Sequence, residues 1–163
     1  MSGTRRASRL LIALAAASVV LLGVTTWGAV ALRDRRLVAA ARVDALAAAR
    51  SAAVDLLSYD FRRLDADFER GRRHVTGRFA EEYATTTEKT VRPTATRYQA
   101  VVEATLVDAG VRSATRDRAI VIVFVNQTSR NTRLVAPQID QNRVRLTLTR
   151  VGEAWLVSEV DAL

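Results

Sequence analysis

Cysteine is absent from this 163-residue chain, which excludes a disulfide framework and a thiolate metal site. Histidine occurs once, as His74, so no multi-histidine metal site can be built and any histidine-based triad would have to run through that residue. Its neighbours Arg73 and Val75 place it in a surface turn between helices. The seven glycines are dispersed and form no phosphate-cradling loop. Aromatics make up 6% of the residues and do not interleave with the basic ones, as stacking platforms for single strands would. The densest basic stretch, Arg62 to Arg78, is broken by Asp65, Asp67 and Glu69 and reads as a solvated helix face. A net charge of +8, three units of it in Arg5, Arg6 and Arg9, leaves a mildly basic remainder and no nucleic-acid-binding signature.

What the chain does have is an uncharged apolar run from Leu10 to Leu32, flanked by Arg5, Arg6 and Arg9 before it and Arg33, Arg35 and Arg36 after it. At about 1.5 Å per residue the run reaches roughly 34 Å, enough for a helix to cross a hydrocarbon core of about 30 Å. A cleaved signal peptide is the competing reading, given the basic start and the small-x-small triplet Ala29-Val30-Ala31. The run exceeds the usual h-region of about 7 to 15 residues and ends directly on arginines, which favours an anchor. Arginine counts on the two flanks tie, so the positive-inside rule does not orient it. A short tail, 1–9, left in the cytoplasm with the long C-terminal part exported is the expected topology: single-pass in the cytoplasmic membrane, in contact with the bilayer.

Between Ala29 and Arg70 there is neither glycine nor proline, and Leu37 to Leu57 is alanine-rich, so residues 33–57 are predicted as a stalk or first helix. Its expected apolar stripe is Val43, Leu46, Ala47, Ala53, Val54 and Leu57. A second helix is predicted with Asp60 as N-cap, apolar positions Phe61, Leu64 and Phe68, and an end at Gly71. A third is expected to start near Thr76, carry Phe79 and Tyr83 one turn apart, and stop at the Thr85-Thr86-Thr87 triplet or before Pro93.

Beyond Pro93 the period changes to two. Val102, Ala104 and Leu106 alternate with Glu103 and Thr105, Gly110 marks a bulge, and Thr115 to Arg118 forms a hairpin tip. Ile120 to Val125 is a β-branched run expected as a central strand covered on both faces. A long loop is predicted from Thr128 to Asn142, then a strand through Val144, Leu146 and Leu148, a turn at Gly152-Glu153, and a last strand from Trp155 to Val160. The plan is α+β, with 58–163 as one extracytoplasmic domain of helices packed on a curved antiparallel sheet of about four strands.

Chemistry is sparse. Asp60 beside Tyr59 is the pair best suited to a general base in a cone-shaped pocket, against the plainer reading of Asp60 as a helix cap. Tyr83 and Trp155 complete the residues that could line such a pocket, although a tryptophan after a hairpin turn also suits a core anchor. No catalytic, cofactor-binding or metal-binding set is expected, and no cofactor.

Four short segments then form a recognisable order: Leu57-Ser58-Tyr59-Asp60-Phe61, Thr76-Gly77-Arg78-Phe79 with Tyr83, Val121 to Gln127, and Gly152 to Val157. With the N-terminal run, they make a chain that resembles the mammalian cell entry (Mce)-associated membrane proteins of actinobacteria. The resemblance implies a nuclear transport factor 2-like cone on the outer side of the cytoplasmic membrane. It also implies a non-enzymatic accessory role beside Mce transporter subunits or other Mce-associated proteins, which move lipids or sterols through the envelope. Val151 stands where the family's pattern has an aspartate before the last-turn glycine. Two rival readings stay open at this point: a tethered isomerase or hydrolase using the pocket, and an assembly factor like the inner-membrane component of type IV secretion systems.

Overall fold

Period-two patterning after Pro93 becomes a five-stranded antiparallel sheet in the computed structural model, which describes residues 32–163. Chain order and spatial order coincide: β1 (Tyr59–Asp60), β2 (Val101–Ala114), β3 (Arg118–Arg130), β4 (Gln138–Val151) and β5 (Ala154–Ala162). The fifth strand beyond the expected four is β1, whose two residues pair with Val101 and Val102. Four helical pieces accompany the sheet: α1 (32–57), α2 (Leu64–Arg72), α3 (Gly77–Thr86) and α4 (Arg92–Tyr98). The expected tail 1–9 lies outside the described residues, and so does the expected membrane-spanning run except for Leu32. Among the described residues no helix is long and apolar enough to cross a membrane.

Ala40–Leu163 is one compact unit. Inward-facing Val121, Val123 and Val125 of β3 meet Val144, Leu146 and Leu148 of β4 and Val157 of β5 in its main core. The helix face laid on this core is a row of alanines, Ala41, Ala45, Ala49, Ala52 and Ala53, all essentially inaccessible. Of the expected stripe, Ala53 lies in this row and Leu46 and Leu57 pack against the same core, whereas Val43 is 68% exposed and Ala47 is in solvent. The alanine row lets the helix backbone approach the strands closely, so small residues mark much of the buried side. Side chains from the sheet region secure the helix end: Gln127 Nε2 donates to the Leu57 carbonyl (3.1 Å), and the Ala104 N–H donates to Ser58 Oγ (2.9 Å). The first of these satisfies a terminal carbonyl that the helix itself leaves open.

Three sequence expectations change in the helical layer. Asp60 is not an N-cap: it sits in β1 and bends the chain, its Oδ1 accepting the Arg62 N–H (2.9 Å) while its carbonyl accepts the Arg63 N–H (2.9 Å). Phe61 accordingly falls in that turn, before α2 begins. The third helix does not stop at the threonines or at Pro93, because a π-helical segment, Thr87–Val91, carries it into α4. Pro93, the second residue of α4, has no N–H to give to the preceding turn, and it follows directly on the wider turn in which the Arg92 N–H bonds to the Thr87 carbonyl. Thr87 Oγ donates back to the carbonyls of Tyr83 (2.8 Å) and Ala84 (3.1 Å), the same two that its own backbone N–H reaches.

The sheet also departs from its forecast. The loop expected over Thr128 to Asn142 shrinks to 131–137, since the polar ends of β3 and β4 continue to pair, for example Gln127 with Asp140 and Ser129 with Gln138. Alternation is lost there because neither face of those ends is buried. Register slips fall between Leu106 and Asp108 and between Val111 and Ser113, on either side of Gly110, and curve the sheet. β3 is central as expected, but only its Val121-Val123-Val125 side is covered; Phe124 on the opposite side is 42% exposed. Gly152 opens the two-residue β4–β5 turn at φ 62°, a backbone state that favours glycine.

Candidate functional site

The inner face of the sheet and the end of α1 line a cavity of about 350 Å³ that is partly open to solvent. Leu56 and Leu57 of α1, Phe79 and Tyr83 of α3, and Leu146 and Val160 of the sheet supply much of its wall. Phe68 reaches it from α2 and Val91 from the π-helical segment. Its polar lining is largely spoken for: Ser58 and Gln127 hold α1 to the sheet, Gln127 Oε1 also accepts from Asn142 Nδ2 (2.6 Å), and Thr87 bonds the preceding helical turn. Burial pushes the Tyr59 phenol up, and desolvation takes Tyr83 up to about 12, so both rings are neutral at physiological pH.

Of the four residues singled out from sequence, Tyr59 and Tyr83 line this cavity, whereas Asp60 and Trp155 do not. Asp60 belongs to a neighbouring hollow with Arg63, Asp67 and Arg70, where its carboxylate meets Arg62 Nη2 at 2.7 Å. Hydrogen bonding from Arg62 holds that carboxyl below its ordinary range. Trp155 pairs with Arg150 at the hairpin end of the sheet and is buried in the main core. Leu146, which does line the cavity, lies four residues back along β4, roughly 13 Å at strand rise.

A charged network that sequence reasoning missed runs beside the cavity. His74 Nε2 lies 2.7 Å from Asp55 Oδ2, Arg70 Nε lies 3.6 Å from Asp55 Oδ1, and Arg70 Nη2 lies 2.7 Å from Asp67 Oδ1. Asp67 Oδ2 accepts the Asp60 N–H at 2.8 Å, tying α2 to β1. His74 is thus a partly buried bridge between α1 and the α2–α3 turn, and Asp67 is a buried anion on what the charge pattern suggested was a solvated face. The Arg63, Asp67, Arg70 spacing on one side of α2 was the available signal. Asp55 and His74, on separate elements, offered none.

Gly71 packs against this site without space to spare. A Cβ built there would lie 2.0 Å from the Tyr83 hydroxyl and 2.6 Å from its Cζ. Gly71→Ala is therefore expected to cost about 1–3 kcal/mol by overpacking, read as a fall in the urea midpoint. Tyr83→Ala in the same chain should remove the additional penalty, so the double mutant would be no less stable than Tyr83→Ala alone.

Comparison with known proteins follows the same lines. The chain is 34% identical over 141 residues, 86% of each chain, to a protein of Mycobacterium tuberculosis named outer membrane protein Rv1973. It is 34% identical over 115 residues to the protein Rv1362c of the same organism, spanning 71% of this chain and 52% of that one. Among solved structures, an IcmL-like type IV secretion system protein of Legionella pneumophila superposes with a TM-score of 0.62 at 13% identity, covering 75% of this chain and 91% of that one. VirB8 of Agrobacterium tumefaciens gives 0.57 at 8% identity over 72% and 88%. These two show a shared α+β fold, helices on a curved antiparallel sheet of the VirB8 and nuclear transport factor 2-like type, and nothing further. Residues 7–162 match the family described as uncharacterized protein Rv1363c/MT1408-like, and the chain belongs to that family.

Proposed function

We propose that this chain is a non-enzymatic, membrane-anchored accessory protein that steadies an Mce-type lipid or sterol transport complex, with the uncovered face of its sheet as the docking surface. The run Leu10 to Leu32 would hold the domain on the outer side of the cytoplasmic membrane. A relative named outer membrane protein supports a membrane setting, though not the choice of the cytoplasmic membrane. The observation that carries the reading is the bare sheet face. Val107, thrown out of register by the first β2 slip, is 61% exposed beside Phe124, and Arg143 lines the hollow between them. A hollow continuing from Phe124 takes in Ile122, Gly110 and Leu163, with Asp108 and Arg112 at its border. Apolar surface rimmed by charge is the anatomy of a protein-binding patch.

Against the isomerase or hydrolase reading, Asp60, its general base, is ion-paired with Arg62 and does not line the cavity. An assembly-factor reading is favoured by the fold shared with secretion-system proteins and would use the same face. The two are separated by purifying tagged full-length protein from mildly solubilised native membranes and identifying its companions by mass spectrometry. Mce subunits should co-purify with the wild type and fall roughly tenfold with Phe124→Asp, on the order of 1.4 kcal/mol. Recovery of secretion-type subunits instead would support the second reading. Equal recovery of Mce subunits with Phe124→Asp would remove the sheet face from the proposal.

A further inference from the structure

We infer that the cavity beneath the sheet is a binding site for a single uncharged hydrocarbon chain. This goes beyond docking through the opposite face and does not depend on it. The cavity is partly open to solvent and reaches about 350 Å³, within the range of about 300–1,000 Å³ typical of ligand sites. The wall offers ordered water few of the two to four polar partners it needs: Ser58, Thr87 and Gln127 are already bonded to backbone or to Asn142, which leaves the hydroxyls of Tyr59, Tyr83 and Thr86 and the Glu82 carboxylate. What remains of the wall is chiefly aliphatic and aromatic carbon from Leu56, Phe68, Phe79, Tyr83, Leu146 and Val160.

Charge at the rim selects further. Among the lining residues there is no arginine or lysine, and the one carboxylate, Glu82, is paired with Arg78 at 2.8 Å. A fatty-acid carboxylate or a phosphate head would lose its hydration and find no cation among the lining residues, whereas a hydroxyl or ester end needs none. The two tyrosine rings are neutral, as shown above, and add no charge. The wall itself is unusual, since Thr87 and Val91 come from the π-helical segment. Such turns are rare and occur frequently at functional sites. Thr86, exposed on the last turn of α3, stands at the rim.

The test uses the full chain in phosphatidylcholine nanodiscs, hexadecanol carrying a mid-chain diazirine as probe, and mass-spectrometric mapping of the cross-links after irradiation. Labels are expected on the segment Phe79–Tyr83 or on Leu146 and Val160, suppressed at least fivefold by excess plain hexadecanol and much less by hexadecanoic acid. Thr86→Trp, at an exposed position, should plug the rim and cut the cavity labels at least fivefold, as should Val160→Phe from the opposite wall. Circular dichroism matching the wild type would show that both variants remain folded. Labels confined to residues outside the cavity, or cavity labels unchanged in both folded variants, would overturn the site. Equal competition by the acid would overturn its selectivity for an uncharged chain.

Discussion

Asp67→Ala should lower unfolding stability by about 3 kcal/mol, at the lower end of the 3–5 kcal/mol seen when one partner of a buried ion pair is removed. The side chain is 1% exposed and answers three groups: the Asp60 N–H at 2.8 Å, Arg70 Nη2 at 2.7 Å and Arg63 Nε at 3.4 Å. Truncation leaves a buried backbone donor with no acceptor and a guanidinium without its nearest anion. Arg70 is one-third exposed and keeps Asp55 at 3.6 Å, which is why the upper end is not reached. Asp67→Asn retains an acceptor for the N–H and should cost clearly less. Urea unfolding of the two variants reads the difference as separate midpoint shifts at an unchanged slope. Equal shifts for alanine and asparagine would mean that the charge, not the tie to β1, carries the effect.

Trp155→Ala should be at least as damaging, at about 3–5 kcal/mol, because it empties the largest side chain of the main core. For a domain of this length that is roughly 10–15 °C in Tm. The indole is 7% exposed and its buried N–H finds no acceptor among the described residues, so its contribution comes from packing. Trp155→Phe should therefore recover most of the loss, since it restores ring contacts without burying a donor. Thermal unfolding of both variants is the measurement, with Trp155→Phe losing as much as Trp155→Ala the result against this account. Labelling of the cavity by the hydrocarbon probe should be unchanged in Trp155→Phe, because the ring stands at the other end of the sheet.

The elements easiest to read in the sequence are those whose burial repeats along the chain. Ile120 to Val125, the Val144-Leu146-Leu148 alternation and the Gly152 turn each carry their own periodic or conformational signal. β1 carries none, because two residues cannot show a period, and its pairing is decided by Val101 and Val102 some forty positions later. The alanine face of α1 was hidden for a different reason. Hydrophobic patterning weights large side chains, while close approach to a sheet selects small ones, so Val43 drew attention that Ala45 and Ala49 merited. At the site, Tyr59 and Tyr83 were legible as aromatic residues next to structural breaks. The His74–Asp55 contact is purely tertiary, made across 19 positions by a turn that no local motif specifies.

Because strand order equals chain order, each strand from β3 onward finds its partner in the strand made immediately before it. Hairpins can therefore accumulate one after another, with little loop to close at each step. The exception is α1, which is synthesised first yet packs on strands that are synthesised last. During that wait its core-facing side offers chance partners mainly alanine methyl groups, with Leu46, Leu56 and Leu57 as its larger apolar side chains. An alanine face thus serves two ends at once: close packing when the sheet is complete, and a low risk of misassociation until then.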